Sequence, residues 1–136
     1  MNQSLEFNTI NMFSDALKGS SKRHQAISDN LANVNTPGYK RKEVSFEQSL
    51  KEAYLPETGW CADLGPEGFE EKGKKPVQPK IHQVDDTSMR NDKNNVDPDR
   101  EMANLSKNTL YYSGLSRMTQ QQFEYLNQLI QSLGRP

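Results

Sequence analysis

The sequence has little apolar material, with 32% hydrophobic residues in a chain of 136. A chain of this length forms one domain at most, and so low an apolar content is poor for a compact globule. Most of the prolines and glycines lie between residues 37 and 79, which leaves the apolar residues concentrated in two terminal segments. This distribution is typical of long helices that complete their core with partners, so we expect the isolated chain to be weakly ordered.

Cysteine is nearly absent, because Cys61 stands alone and excludes both an intrachain disulfide and a cysteine metal cluster. The two histidines, His24 and His82, lie in unlike contexts, and the paired acidic residues lie in hydrophilic surroundings that would not raise a carboxylate pKa. The glycines of the middle region lack the Lys-Ser/Thr ending of a phosphate-binding loop. The sequence therefore predicts no enzyme, no cofactor and no metal.

No apolar run reaches membrane-spanning length, and the N-terminus lacks the basic and apolar regions of a Sec-type signal. The net charge of -1 gives no argument for nucleic acid or for an anionic membrane. The basic run Lys40-Arg41-Lys42 has no aromatic ladder beside it, which favours a solvated turn or a contact with a neighbour's carboxylates. We expect no nucleic-acid partner and no membrane insertion, and any export must proceed without a cleaved signal.

A seven-residue repeat predicts an N-terminal helix from about Thr9 to Asn35. The apolar residues of its seam are Ile10, Phe13, Leu17, Ile27, Leu31 and Val34. Gly19 interrupts the repeat and costs about 1 kcal/mol relative to alanine, so the middle of the helix should be soft in isolation. His24 also falls in the seam, where a tolerated polar residue is favoured over a ligand or a pH switch because no second ligand lies at helical spacing.

An asparagine-rich corner ends this helix. Pro37 and Gly38 fit the second and third positions of a type II turn, which predicts positive φ at Gly38. Asn30, Asn33 and Asn35 lie in the last turns, where their amides can bind free carbonyls or polar groups of another chain. A helix stop needs fewer asparagines, so we expect these amides to face a neighbouring subunit.

The middle region carries only short elements. The run Ser45-Phe46-Glu47-Gln48 has the form of a capping box and predicts a short helix over residues 46–54. The segment from Pro56 to Lys80 is rich in Gly, Pro, Lys and Glu, which is typical of a surface loop or a partly disordered insertion. Ile81 to Val84 can form a brief strand against residues near Val44.

A second long helix is predicted from Pro98, which suits the first helical position, with Asp97 as its cap. Asp99 and Glu101 favour the positive end of the helix dipole. About 36 residues follow before Gly134 closes the helix. The predicted seam consists of Met102, Leu105, Thr109, Tyr112, Ser116, Thr119, Phe123, Leu126, Ile130 and Leu133, with Leu115 and Leu129 widening the apolar stripe.

These elements predict a mainly α fold in which two long terminal helices pack as a coiled-coil-like hairpin. A short helix and an irregular, partly β or disordered middle region connect them. Residues 1–40 hold the N-terminal helix and the corner, residues 41–92 the middle region, and residues 93–136 the C-terminal helix, so that both termini form one discontinuous helical domain. A hairpin with polar seam positions in so hydrophilic a chain is typical of an assembly subunit.

Two motifs resemble the bacterial flagellar rod and hook axial protein family. The run Asn30-Leu31-Ala32-Asn33-Val34-Asn35-Thr36-Pro37-Gly38-Tyr39-Lys40 is similar to the Asn-Leu-Ala-Asn-x-x-Thr-x-Gly-Tyr-Lys signature near the N-terminus of those proteins. The second motif is the run Asn94-Asn95-Val96-Asp97-Pro98-Asp99-Arg100-Glu101-Met102, and it resembles the segment that opens the C-terminal helix in rod proteins of that family. Lys93 stands where that family has glycine, and the 56–80 insertion has no counterpart that we can place.

The resemblance implies a structural subunit that is exported unfolded through the flagellar type III apparatus, without a cleaved signal. Such a subunit polymerises into the hollow rod that acts as a drive shaft in the periplasm. The implied partners are like subunits, the other rod proteins and the basal junction protein at the export gate. The residues themselves leave one rival open, a soluble helical adaptor or secretion chaperone that keeps the hairpin and acts as a monomer or dimer.

Overall fold

The computed structural model describes residues 3–54, 77–84 and 92–133, with side chains described from residue 9 to residue 132 of those ranges. The elements in chain order are α1 (Gln3–Ala32), β1 (Lys42–Ser45), α2 (Glu47–Tyr54), β2 (Lys80–Gln83) and α3 (Pro98–Leu133). The long helices α1 and α3 pack together, and the mainly α fold with two long terminal helices is confirmed. The predicted insertion after Pro56 lies outside the described residues as far as residue 76.

The two long helices run antiparallel. Ser20 of α1 meets Asn108 of α3, and Asn30, ten residues further along α1, meets Glu101, seven residues earlier in α3. Helix α1 begins at Gln3, earlier than predicted, because the seam was traced from its first apolar residue and a nucleated helix extends without further seam contacts. The hairpin is therefore aligned by polar side chains that lie between the helices.

The buried core is small and centres on Phe46, which is 1% exposed and packs with Ala26 and Val44. The Phe46 ring lies against Gly19, where a β-carbon would stand 2.5 Å from the ring. The Arg23 guanidinium lies over the same ring, 4.7 Å from its centre. Gly19 thus has a packing role that the seven-residue repeat did not reveal, since it lets the ring approach the backbone of α1.

The predicted capping box at Ser45 is wrong. Ser45 is the last residue of β1, paired with Lys80, and α2 begins at Glu47. The Glu47 carboxylate accepts a hydrogen bond from the Phe46 backbone amide at 3.2 Å and is bonded to Arg23. Partial burial alone would raise the pKa of Glu47, but the hydrogen bond from Arg23 and the nearby amides hold it below its usual value.

A second contact holds α2 on α1. The Tyr54 hydroxyl donates to the Asp15 carboxylate at 2.8 Å. Partial burial, this hydrogen bond and the charge of Asp15 together raise the pKa of Tyr54 to about 12. The neutral phenol is therefore the form that the fold favours, and the contact is kept across neutral pH.

The predicted strand pairing near Val44 is confirmed. β1 and β2 are antiparallel with Val44 opposite Ile81, and the Val84 amide donates to the Arg41 carbonyl at 2.9 Å just beyond the ladder. Val44 is buried and Ile81 is exposed. The two strands together form a short ribbon laid across the end of α1.

The predicted seam of α3 is wrong at one of its two heptad positions. Met102, Phe123 and Ile130 are 54%, 51% and 67% exposed, and Thr109 and Ser116 are exposed as well. The residues one position earlier in the sequence face α1 instead, with Glu101 and Asn108 buried and Leu115 and Leu129 partly buried. Leu105, Thr119 and Leu126 are partly buried, Tyr112 is 45% exposed, and the Leu133 side chain lies outside the described residues.

The reason for this shift is polar pairing. A hydrophobic pattern places Glu101 and Asn108 outside, but each has a hydrogen-bonding partner on α1. Asn108 and Ser20 are 3% and 0% exposed, and they exchange two bonds of 3.0 Å. Along α1, Ile27 is buried, and the predicted apolar seam residues Ile10, Phe13, Leu17 and Leu31 are partly buried. Val34 is partly buried as well, but it lies in the turn after α1, which ends at Ala32 and not at the predicted Asn35.

We predict that Gly19→Ala destabilises the fold. Alanine favours the helix by about 1 kcal/mol, but the added methyl group would overlap the Phe46 ring at a cost of about 1–3 kcal/mol, and the fixed ring leaves little room to relax. Gly114→Ala is the matched control, because a β-carbon there meets nothing within 4 Å, and it should stabilise α3 by up to about 1 kcal/mol. Urea unfolding followed by circular dichroism compares the two, and an equal gain in both variants would contradict the packing role of Gly19.

Candidate functional site

The two sequence motifs meet in space at one end of the hairpin. There the end of α1, strand β1 and the residues before α3 are joined by a cluster of polar side chains, which we call the polar junction. Its members are Asn30, Arg41, Asn94, Asn95 and Glu101. Four of them are nearly or fully buried, and among the described residues no buried side-chain nitrogen or oxygen is left without a partner.

The side-chain amide of Asn30 bonds the backbone of β1 in the way that a peptide group of an adjacent strand would. Its Nδ2 donates to the Lys42 carbonyl at 2.8 Å, and its Oδ1 accepts from the Lys42 amide at 2.9 Å. The same side chain donates to Glu101 Oε2 at 3.0 Å and accepts from the Tyr39 hydroxyl at 3.3 Å. Asn30 is 0% exposed, so the expectation that its amide faces a neighbouring subunit is wrong. The chain itself uses the amide, because β1 returns across α1 with its backbone groups turned toward the helix.

Arg41 and Glu101 form a buried ion pair at the centre of the junction. Arg41 Nη1 lies 3.5 Å from Glu101 Oε1, and the two side chains are 6% and 1% exposed. Arg41 also donates to Glu43 at 3.2 Å. The expectation of a solvated basic turn is therefore wrong for Arg41, whose charge is held inside its own chain. Such a pair tolerates burial only when hydrogen bonds satisfy its remaining polar atoms, which the Asn30 amide does in part for Glu101.

Asn94 closes the end of α1 from the other motif. Its Nδ2 lies 3.0, 3.0 and 2.9 Å from the backbone carbonyl oxygens of Asn33, Val34 and Thr36. Its Oδ1 accepts from the Val96 amide at 2.8 Å. These carbonyls belong to the turn that follows α1. Those of Asn33 and Thr36 also accept from the Thr36 and Tyr39 backbone amides, so the Asn94 side chain adds a second donor to this turn. The end of α1 is thereby fixed by a residue about 60 positions later.

Asn95 completes the strand ladder with its side chain. The Arg41 amide donates to Asn95 Oδ1 at 2.7 Å, and Asn95 Nδ2 donates to the Val84 carbonyl at 2.6 Å. The Val84 amide bonds directly to the Arg41 carbonyl. In the other direction, the Asn95 side chain bridges the Arg41 amide and the Val84 carbonyl. Adjacent asparagines thus anchor α1 and the ribbon to the start of α3.

The corner has the predicted turn. Gly38 has φ of 73°, and the Tyr39 amide donates to the Thr36 carbonyl at 3.3 Å, which confirms a turn with glycine at its third position. The Gly38 amide donates to the Asp92 carbonyl at 2.9 Å, so the corner is bonded to the residues just before the second motif. Lys93 follows with φ of 60°, the one non-glycine residue in the described part of the chain with positive φ. Lysine therefore occupies the left-handed region at the position where the resembling family has glycine.

Some of the remaining corner residues make contacts within the chain, and others are exposed to solvent. Asn33 Nδ2 donates to the Asp29 carbonyl at 2.8 Å, and its Oδ1 accepts from Thr36 at 3.2 Å, so this amide caps its own helix. Leu31, Tyr39 and Lys40 are partly buried, whereas Ala32, Asn35, Thr36 and Pro37 are exposed. Of the three asparagines, Asn35 is the one that is presented outward.

The start of α3 is built as predicted. Asp97 Oδ1 accepts from the Asp99 amide at 3.0 Å and from the Arg100 amide at 3.4 Å, and the Asp97 carbonyl accepts from the Glu101 amide at 3.0 Å. Asp97 is therefore confirmed as the cap. Val96, 2% exposed, anchors the preceding turn in the core.

Beside the junction lies an open groove of about 440 Å³ between α1, β1 and α3. Ala26, Ile27 and Val44 form its apolar lining, and Lys107 and Tyr111 stand on its α3 side. In the part of the chain that the structure describes, no cluster of His, Cys, Asp and Glu has an arrangement that could hold a metal ion. Within the same ranges, no helix is long and apolar enough to cross a membrane.

We predict that Asn94→Ala lowers the free energy of unfolding by about 2 kcal/mol, because it removes the hydrogen bonds of a nearly buried side chain and takes the side-chain acceptor away from the buried Val96 amide. Asn35→Ala is the matched control in the same corner, and as an exposed substitution it should change stability by less than about 0.5 kcal/mol. Urea unfolding of the soluble protein measures both. Equal effects of the two substitutions would refute the capping role of Asn94.

We predict that Lys93→Gly raises the free energy of unfolding by about 1 kcal/mol, because glycine adopts positive φ without the steric cost that a β-carbon brings. Lys93→Ala keeps the β-carbon and should leave stability nearly unchanged. Thermal unfolding of the three proteins separates the backbone effect from loss of the lysine charge. If alanine stabilises the chain as much as glycine does, the charge and not the backbone conformation is responsible.

Comparison with known proteins gives a consistent result. Residues 10–40, which span most of α1 and the whole corner, match the family described as flagella basal body rod protein. The chain is similar to the flagellar basal body rod protein FlgB of Borrelia hermsii, with 38% identity over 117 residues that cover 81% of this chain and 86% of the relative. It is likewise similar to FlgB of Borreliella burgdorferi, with 35% identity over 79% of this chain and 84% of that one.

A more distant relative covers almost the full length. FlgB of Bacillus subtilis is 30% identical over 127 residues, which are 93% of this chain and 96% of the relative. These matches extend well beyond the corner, through the polar junction and along α3. The chain therefore belongs to the FlgB family of flagellar basal body rod proteins.

Proposed function

We propose that this chain polymerises into the proximal rod of the flagellar basal body through its two terminal helices. The observation that carries the proposal is that α1 covers only one side of α3, and large apolar side chains remain outside on both flanks of that contact. A monomeric soluble protein seldom exposes so many of them in rows along one helix. A polymer of helical subunits would bury both rows.

The first flank of α3 carries Tyr111, Met118 and Tyr125, which recur every seven residues and are 38%, 53% and 46% exposed. The second flank carries Met102, Phe123 and Ile130, which share another heptad position and are more than half exposed. At 3.6 residues per turn, Met118 and Phe123 are roughly 140° apart around the helix axis. The residues of α3 that face α1, which include Glu101, Asn108 and Leu115, lie between the two flanks.

Two different faces favour an open polymer. A dimer with twofold symmetry uses one patch on both subunits, whereas a contact between unlike patches leaves a free patch at each end and continues into a ring or helix. The rival function, a soluble adaptor or secretion chaperone, needs one face at most. It also finds no support among the relatives, which are all named as rod proteins.

The assembly motif enters this proposal in a narrower form. We assign the contact with a neighbour to its exposed members, Ala32, Asn35, Thr36 and Pro37, and not to Asn30. The polar junction would act indirectly, by fixing the corner in one conformation before a neighbour meets it. Pre-ordering of this kind lowers the entropy cost of association.

Membership of the family supports a proposal about the cellular setting. We propose that the subunit works in the periplasmic rod, that it is exported without a cleaved signal, and that it contacts the other rod proteins and the basal junction protein at the export gate. One discontinuous helical domain, from residues 1–40 and 93–136, would carry these contacts. Deleting the gene should leave cells without an assembled rod, and expression of the chain should restore it.

We predict that Ile130→Asp blocks incorporation into the rod without changing the monomer. Ile130 is 67% exposed, so the charge is well hydrated in the free chain, but it would be desolvated without a partner in a packed interface. Gln131→Glu adds the same charge at an exposed position whose described neighbours three and four residues away belong to neither flank, and it should be tolerated. The measurement is the amount of each variant in purified basal bodies, beside circular dichroism of the soluble protein. Normal incorporation of Ile130→Asp would remove the second flank from the proposal.

A further inference from the structure

Gly114 lies in the interior of α3, where glycine is among the least favourable residues for a helix. At Gly19 the fold gains from glycine, because Phe46 packs where a side chain would be. At Gly114 an added β-carbon meets nothing within 4 Å among the described residues. The described part of the subunit therefore gives no packing reason for a glycine at this position.

The surroundings of Gly114 form a notch. Residues three and four positions away are its neighbours on the helix surface, and these include Leu110, Tyr111 and Met118. Leu110 is 75% exposed, and Met118 is 53% exposed. Large apolar side chains thus stand around a point where the backbone itself is accessible. We call these residues, Leu110, Tyr111, Gly114 and Met118, the notch face.

The opposite flank of α3 carries large apolar side chains that α1 leaves exposed. Phe123 and Ile130 lie seven residues apart at one heptad position and are 51% and 67% exposed. We call these two residues the knob face. Because the knob face and the notch face lie on different sides of one helix, the knob face of a chain cannot reach the notch face of the same chain.

We propose that the notch face of one subunit receives the knob face of a second copy of this chain. The inference rests on the proposed polymerisation and names the surfaces that meet in it. The two faces are unlike, so each copy would offer a free notch on one side and a free knob on the other. Glycine at 114 would let the partner helix approach closely. The packing gained in the polymer would offset the lower helix stability of the free subunit. The groove at Tyr111 continues the notch face toward β1.

The first test uses substitutions with opposite effects on monomer and polymer. Gly114→Ala and Gly114→Leu should raise the melting temperature of the soluble protein, because both residues favour the helix. Both should reduce incorporation into basal bodies, and Gly114→Leu by at least about tenfold, since it fills the notch. Ser113→Ala, at an exposed neighbouring position outside both faces, should leave incorporation unchanged. Normal incorporation of Gly114→Leu would overturn the inference.

The second test identifies the occupant of the notch. A chain with Met118→Cys and Phe123→Cys, in a Cys61→Ser background, should form a ladder of disulfide-linked copies in oxidised basal bodies, and each single variant should form none. A link to a different rod protein, or no link in assembled rods, would contradict a contact between copies.

The two levels of the proposal fail in different ways. If the unchanged chain does not enter the rod, the proposed function fails. If it enters the rod and the Gly114→Leu variant does so equally well, only the notch contact fails.

Discussion

The buried contact of Asn30, Glu101 and Arg41 sets the geometry of the whole subunit. It joins the end of α1, the return of the chain through β1 and the first turn of α3 within one hydrogen-bonded group. Asn94 and Asn95 extend that group to the helix end and to the strand ladder. A buried charge without its partner is costly. The three segments are therefore expected to keep one arrangement, and separating one of them would unfold this end of the hairpin.

This arrangement decides which side of α3 is available for assembly. Glu101 and Asn108 face α1, and the helix is thereby turned so that Phe123 and Ile130 lie outside on one flank and Met118 on the other. Placing polar residues inside and apolar ones outside weakens the isolated hairpin, but it fixes the alignment of the helices and leaves two apolar rows for neighbours. For a rod subunit, contacts between subunits would then supply much of the apolar burial that the free chain lacks.

Sequence patterns predicted the elements well and the contacts between them less well. Capping by Asp97 and positive φ at Gly38 follow from local rules, which depend on a few adjacent residues. The pairing near Val44 was also predicted, although it joins residues 37 positions apart. The orientation of α3 did not follow from hydrophobic spacing, because the residues that face α1 include a glutamate and an asparagine whose partners are 71 and 88 positions away. The roles of Asn30 and Gly19 were missed for the same reason, since β1 and Phe46 reach them only in the folded chain.

The most direct measurement is disulfide trapping of the hairpin in a Cys61→Ser background. We expect Ser20→Cys with Asn108→Cys to form an intramolecular disulfide readily, because the two native side chains are hydrogen-bonded at 3.0 Å in the fold. Ser20→Cys with Thr109→Cys should not, since Thr109 is turned to the outside of α3. The opposite result, a disulfide at 109 and none at 108, would restore the seam expected from hydrophobic spacing and contradict the orientation from which both assembly flanks are inferred.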